Sequence, residues 1–265
     1  MWRTVSLLVL VICALSCKTE FERVRASTDP VEVYKSANQY FKDGQWYNAQ
    51  TLYEQIIPFY RGKAEAEDLF YNYAYTHYNM GDFILASHYF KSFSTSFYNS
   101  SKKEETEFMS AYSNYRMSPS YKLDQTFSEK AIDGFQNFVN IYPESERAEE
   151  CNTLIDDLRS KMERKAFEQG RLYYDLKQYA SSIHSFRNML KDYPASKRAE
   201  EVRYLIIKAG YQYADNSVFI KKSERFDEVM SDIKLFQKKY PKSKFRKEMA
   251  QIKEDSTSKF KKYKS

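Results

Sequence analysis

"NIYPESERAEE" (140–150) and "KDYPASKRAEE" (191–201) are near copies of one another, and "KKYPKSKFRKE" (238–248) is a looser third. A fold built around one site has no use for the same eleven residues three times, whereas a stack of repeated units does. Counting back from Pro143, Pro194 and Pro241 gives a register. Twelve residues earlier stand Ala131, Ser182 and Val229; eight earlier, Phe135, Phe186 and Ile233; five earlier, Phe138, Met189 and Phe236. A small residue followed by large apolar ones at plus four and plus seven is one stripe of a helix, and the proline ends it. Ser145, Ser196 and Ser243, two residues after each proline, read as N-caps of the helices that follow.

The same register runs nearer the N-terminus without the proline, as Ala49, Tyr53, Ile56 and then Ala86, Phe90, Phe93. Ala37 and Ala74 precede these by twelve residues, and the turns "KDGQWYNA" and "NMGDFILA" bring in Gly44 and Gly81. A fourth unit carries Gly170, Tyr173, Tyr179, Ser182, Phe186 and Pro194. Small residues where antiparallel helices touch, with large ones beside them, form the tetratricopeptide pattern. The sequence therefore predicts an all-α tetratricopeptide-repeat superhelix, an α-solenoid of about five helix pairs in two halves joined by a long helix. Units one to three fill 30–144 and units four and five fill 145–248. The long helix runs from Ser145 to Leu176, with the stripe Cys151, Leu154, Ile155, Leu158, Met162, Ala166, Gly170, Tyr173. Polar loops fall at "RMSPSYKLDQTF" and "DNSVFIKKSER", and a basic tail occupies 249–265.

Composition supports helices. Only 6 Gly and 6 Pro interrupt 265 residues, and 24 Tyr supply much of the apolar surface. The net charge is +6, and its whole excess lies in 242–265. The remainder is balanced, so no basic groove tracks a nucleic acid.

The chain opens "MWRTVSLLVLVICALSC". Arg3 and the apolar run from Val5 to Leu15 are too short to span a bilayer and match a secretory leader. "ALSC" is similar to a lipobox, with Ala14 where leucine is usual. That makes 1–16 a lipoprotein signal peptide, Cys17 the lipidated residue and 17–29 a tether; a leader cut elsewhere or an uncleaved anchor are the alternatives. Cys13 leaves with the leader and Cys151 falls on the buried stripe of the long helix, so no internal disulfide is expected.

In such a stack the first helix of each pair lines the concave side. Taking Ala37, Ala74 and Ala111 as reference, the exposed positions are Tyr34, Asn38, Phe41; Tyr71, Tyr75, Tyr78; and Phe108, Tyr112, Tyr115. These rings form either a peptide-binding groove or packing between neighbouring helices. Catalytic constellations are missing. His77, His88 and His184 fall in different units, Asp156 and Asp157 read as a solvated face, and no nucleophile or phosphate-loop motif occurs. No enzyme activity, metal or cofactor is expected.

"DPVEVYKSANQYFKDGQWYNAQTLYEQIIPFYRGKAEAE", "MSPSYKLDQTFSEKAIDGFQNFVNIYPES" and "ECNTLIDDLRSKMERKAFEQGRLYY" resemble the BamD family, lipoproteins of the outer-membrane β-barrel assembly machinery. The resemblance implies a periplasmic scaffold anchored in the outer membrane through its N-terminal lipid, with other assembly-machinery lipoproteins as partners. It implies that the C-terminal half docks on the POTRA domains of BamA, and that the N-terminal half takes the C-terminal signal of unfolded β-barrel outer-membrane proteins. For the docking contact the first helix of unit five, with Arg198 and Arg203, is the expected place. Ser128 and Val229 depart from the repeat pattern. Two rival readings are a tetratricopeptide lipoprotein coordinating cell-wall enzymes and a SusD-like glycan-binding lipoprotein; the second lacks room for a sugar-binding domain.

Overall fold

The computed structural model describes residues 20–264. The leader and Cys17 lie outside the described residues. Those described form twelve α-helices: α1 (Glu20–Arg25), α2 (Pro30–Lys42), α3 (Trp46–Tyr60), α4 (Ala66–Asn79), α5 (Phe83–Ser96), α6 (Lys103–Met117), α7 (Thr126–Ile141), α8 (Ala148–Asp175), α9 (Tyr179–Asp192), α10 (Ala199–Asp215), α11 (Phe219–Lys239) and α12 (Arg246–Lys264). The chain divides into two compact units. Unit 1 takes residues up to 119 and 124–156; unit 2 takes 120–123 and 157 onward. The division falls within α8.

In unit 1 consecutive helices pack in chain order as the tetratricopeptide pairs α2/α3, α4/α5 and α6/α7. The small positions are the reason. Ala37, Ala49, Ala74 and Ala86 are wholly buried, and a Cβ built on Gly134 of α7 would lie 2.7 Å from the Cβ of Ala111 on α6. Only a residue without a side chain allows that crossing. The turns between paired helices use the left-handed region, with φ of 73° at Gly44 and 80° at Gly81. Asp29 caps α2, accepting from Val31 N at 2.9 Å ahead of Pro30. Tyr53 is fully buried, and its hydroxyl donates to Asn38 at 2.6 Å, which removes the cost of burying it.

In unit 2 the crossing of α8 with α9 is tighter still. A Cβ on Gly170 would lie 2.5 Å from the Phe186 ring, and Ser182 Oγ donates to the Gly170 carbonyl at 2.8 Å. Gly170 thus fills the small crossing position of the fourth pair. The turn itself falls to Lys177, which takes φ 60°. Cys151 is buried on the α8 stripe, and burial pushes its thiol up to about 11, which keeps it protonated and inert.

Four expectations are corrected. Ser145, Ser196 and Ser243 do not cap their helices directly. Each accepts from the amide two residues on (Arg147, Arg198, Phe245) in a turn that precedes the helix. The long helix is shorter than Ser145–Leu176 because those turns use its first residues. In "DNSVFIKKSER" only 216–218 lie outside helices, and α11 starts at Phe219. The basic tail is a helix, α12, that buries Met249 and Ser256 and packs Ile252 into the α10–α11 core. No described helix is long and apolar enough to cross a membrane.

Candidate functional site

Tyr71, Tyr75 and Tyr78 sit on α4 at i, i+4 and i+7, and Phe108, Tyr112 and Tyr115 repeat that spacing on α6. Helical periodicity therefore aims three rings from each helix to one side. Across the two helices the rings form a continuous band. Tyr71 and Tyr75 have centroids 4.9 Å apart, Tyr75 and Tyr78 6.5 Å, and Tyr78 and Tyr112 6.5 Å. Tyr112 stacks on Phe108 at 5.5 Å and on Tyr115 at 5.6 Å. Phe93, Phe90, Phe135 and Phe138 lie beneath these rings as a buried floor. Phe108 is itself buried, whereas the five tyrosines are half-buried and keep one side to solvent.

Tyr34 and Phe41 are placed elsewhere. Tyr34 stacks on Tyr60 at 4.9 Å, and Phe41 meets Trp46 edge-on at 5.4 Å and Tyr53 at 6.4 Å. Both pack against the core of the first helix pair. The structure brings the other six together.

Glu105 organises the band. Its Oε2 accepts from the Tyr71 hydroxyl at 2.8 Å and its Oε1 from Tyr75 at 2.5 Å. Burial, reinforced by the Glu105 bond, pushes the Tyr71 phenol up to about 12, and the same causes push Tyr75 further. Both remain donors, and their rings are locked in one orientation. The sequence reading missed Glu105. Its place three residues before Phe108 and seven before Tyr112 puts it on the same stripe, which is the signal that could have found it.

Three cations rim the band. Lys102 Nζ lies 4.9 Å from the Tyr71 centroid and pairs with Asp68. Arg116 covers the Phe83 ring at 4.6 Å and donates to the Tyr78 hydroxyl at 3.3 Å. Arg147 lies 4.3 Å over Phe108. An apolar floor, tyrosine hydroxyls and rim cations suit a ligand with an aromatic side chain and a carboxylate. Among the described residues no group of His, Cys, Asp and Glu could hold a metal.

In unit 2, Arg198 ends just before α10 with its guanidinium 4.6 Å over Phe167. Arg203, on α10, has a buried Nε without a hydrogen-bond partner. It lines a cleft of about 220 Å³ with Arg187, Ile206, Asp232 and Leu235.

A family model described as YfiO, outer membrane lipoprotein, matches residues 26–209. No curated protein matches the chain. Among solved structures, the chain is similar to one described as the TPR2AB domain:pHSP90 complex of yeast Sti1, at 10% identity and a TM-score of 0.39, covering 86% of this chain and 98% of that one. It is also similar to the yeast histone chaperone Hif1, at 16% identity and a TM-score of 0.29, covering 93% and 98%. The helix pairing described above, rather than either likeness, carries the fold.

Proposed function

The chain belongs to the YfiO family of outer membrane lipoproteins, the BamD family of the sequence reading, and on that premise we propose that it is a non-enzymatic scaffold for β-barrel assembly. Unit 1 receives the C-terminal signal of an unfolded barrel protein on the α4–α6 aromatic band. Unit 2 docks on POTRA domains of the barrel-forming partner through the α10–α11 side. The chain is held to the membrane at its periplasmic face by lipid on Cys17.

The observation that supports the first part is the pairing of Tyr71 and Tyr75 on Glu105 within a ring band bordered by Lys102, Arg116 and Arg147. A segment that ends in an aromatic residue offers a ring for the band and a terminal carboxylate for a rim cation. The rings are already ordered in the free protein, so binding loses little further side-chain entropy. The test is fluorescence anisotropy with a labelled peptide ending in phenylalanine. Tyr71→Ala with Tyr75→Ala should weaken binding about tenfold or more, the loss expected when anchoring aromatics are truncated. Phe at both positions should keep most of it. Unchanged affinity of the folded alanine variant refutes the site.

Arg203 supports the second part, because a buried guanidinium nitrogen without a partner lies beside an open cleft. Arg203→Ala should reduce recovery of a POTRA-bearing barrel subunit on affinity capture from detergent-solubilised outer membranes. Recovery of cell-wall enzymes or a sugar transporter in its place would favour one of the rival readings.

A further inference from the structure

The charge excess that the sequence concentrates in 242–265 meets an apolar tip in unit 2. Val218, Phe219 and Ile220 are consecutive, and their exposures are 65%, 63% and 82%. They open α11, and they open it against the usual rules. The helix has no side-chain cap and no acid in its first turn. Lys221 and Lys222 stand near its positive end, where acids are the stabilising choice.

The last turn of α12 arrives at the same place. The Tyr263 ring lies 5.5 Å from Phe219, and Lys222 Nζ lies 5.1 Å from the Tyr263 centroid. That turn carries Lys261, Lys262 and Lys264, all exposed. Polar contacts already hold this end together, Lys222 Nζ donating to the Asp215 carbonyl at 2.6 Å. Glu224 pairs with Lys221 at 2.8 Å, and Asp215 and Asp255 pair with Lys259 at 2.8 and 3.6 Å. What results is a small hydrophobic projection in a collar of lysines drawn from two helices.

We propose that this end of unit 2 is a second membrane contact, in which Val218, Phe219 and Ile220 enter the headgroup–acyl boundary of a bilayer and the collar lysines engage anionic phospholipid phosphates. Two arguments select a lipid surface over a protein one. Lysines are depleted from the centres of protein–protein interfaces, yet here Lys221 and Lys222 directly follow the apolar residues, and the lysine-bearing last turn of α12 meets Phe219 through Tyr263. Apolar side chains beside lysine clusters are the chemistry of attachment to anionic bilayers. An outer membrane lipoprotein is already held at such a surface, so the contact would form at high local concentration. The proposal needs only that membrane location; it does not depend on the barrel-signal reading of unit 1.

The test uses the lipidated protein in vesicles whose acyl chains carry bromine, a short-range quencher of tryptophan. Ile220→Trp supplies the reporter. The parent chain, with Trp46 in unit 1, supplies the blank. Vesicles of phosphatidylcholine are compared with vesicles that also contain phosphatidylglycerol. The expected result is several-fold stronger quenching of the Ile220→Trp signal when phosphatidylglycerol is present, abolished by K261E/K262E/K264E in a chain that keeps its circular dichroism. Quenching absent from both vesicle types overturns the proposal, and so does quenching indifferent to phosphatidylglycerol. A blue shift that appears only when a POTRA-bearing barrel subunit is added would also overturn it, by assigning the tip to a protein surface. The Ile220→Trp comparison decides between these outcomes even if the triple variant fails to fold.

Discussion

Ser145 Oγ donates to Glu104 Oε1 across 2.6 Å, tying the turn after α7 back to the first turn of α6. The same link joins Ser100 to Glu67 at 2.6 Å and Ser196 to Glu163 at 2.7 Å. Each serine closes a helix pair on a glutamate of that pair's leading helix. The repeated eleven residues therefore do two tasks. In the copies at 140–150 and 191–201 the serine fastens the pair just finished, and the glutamates begin the next leading helix.

A double-mutant cycle on Ser145→Ala and Glu104→Ala should return a coupling of about 1 kcal/mol, the scale of a hydrogen bond to a carboxylate at a partly exposed site. Ser145→Ala alone should cost somewhat more, since its oxygen also accepts from Arg147 N at 3.1 Å. Chemical denaturation read by circular dichroism would give both numbers. Coupling near zero would show that the turn geometry, not the pair, closes the repeat.

Gly170→Ala should destabilise the fold by about 1–3 kcal/mol despite alanine's better helix propensity, because overpacking a crossing outweighs that gain. The new methyl would lie 2.5 Å from the Phe186 ring. Phe186→Leu in the same chain should recover part of the loss. Gly210→Ala, whose methyl would meet Val229 Cγ2 at 3.2 Å, should be nearer neutral. Thermal melts of the four chains decide it.

His77 should make the protein acid-sensitive. Burial holds its imidazole below the ordinary 6.5, against the upward pull of Asp82. Its ring lies against Tyr89 at 5.1 Å, and its Nδ1 has only the Asp82 carboxylate, at 3.5 Å, as a polar neighbour. The unfolded chain therefore takes up this proton at a higher pH than the folded chain. Stability is fully present above about 6.5 and falls as pH drops toward the folded value. His77→Phe should flatten the dependence of Tm on pH in that window, whatever it does to Tm at neutral pH. An unchanged slope would assign the acid sensitivity elsewhere.

Lys259→Met should loosen α12 selectively. The Lys259 ammonium donates to Tyr211 OH and to Asp215 Oδ1, both at 2.8 Å, and Tyr211 in turn bonds Asp255. Burial pulls the Lys259 pKa down, but those bonds more than offset it and the net shift is upward. Loss of the network should cost about 1 kcal/mol, discounted for its partial exposure. Amide exchange should quicken in α12 more than in α10 or α11, and uniform quickening would show that α12 does not open by itself.

The pairing of helices was legible because a crossing imposes a small residue at a fixed distance from large ones, and the prolines supplied an origin for counting. α12 was not. Its inward stripe (Met249, Ile252, Ser256, Phe260, Tyr263), fully buried only at Met249 and Ser256, is diluted by lysines and has a serine where a core residue would be expected. The start of α11 was hidden for another reason: apolar residues followed by lysines match neither helical nor strand periodicity. Of the band, helical spacing placed Tyr71, Tyr75, Tyr78, Phe108, Tyr112 and Tyr115 correctly on α4 and α6. It could not tell Tyr34 and Phe41 from them, since their packing depends on Tyr60 and Trp46, which come from the facing helix. Glu105 went unnoticed because its role depends on tyrosines 30 and 34 residues away in sequence.

Lys177 holds at φ 60° the turn that glycine holds at 44 and 81. A side chain in that conformation costs about 1 kcal/mol, so the fourth pair is hinged on a residue slightly at odds with its own backbone. The position belongs to neither the ring band nor the lysine collar. It is the natural first substitution for anyone who wants a hardier version of this scaffold, as an antigen or a reagent, with both proposed surfaces left as they are.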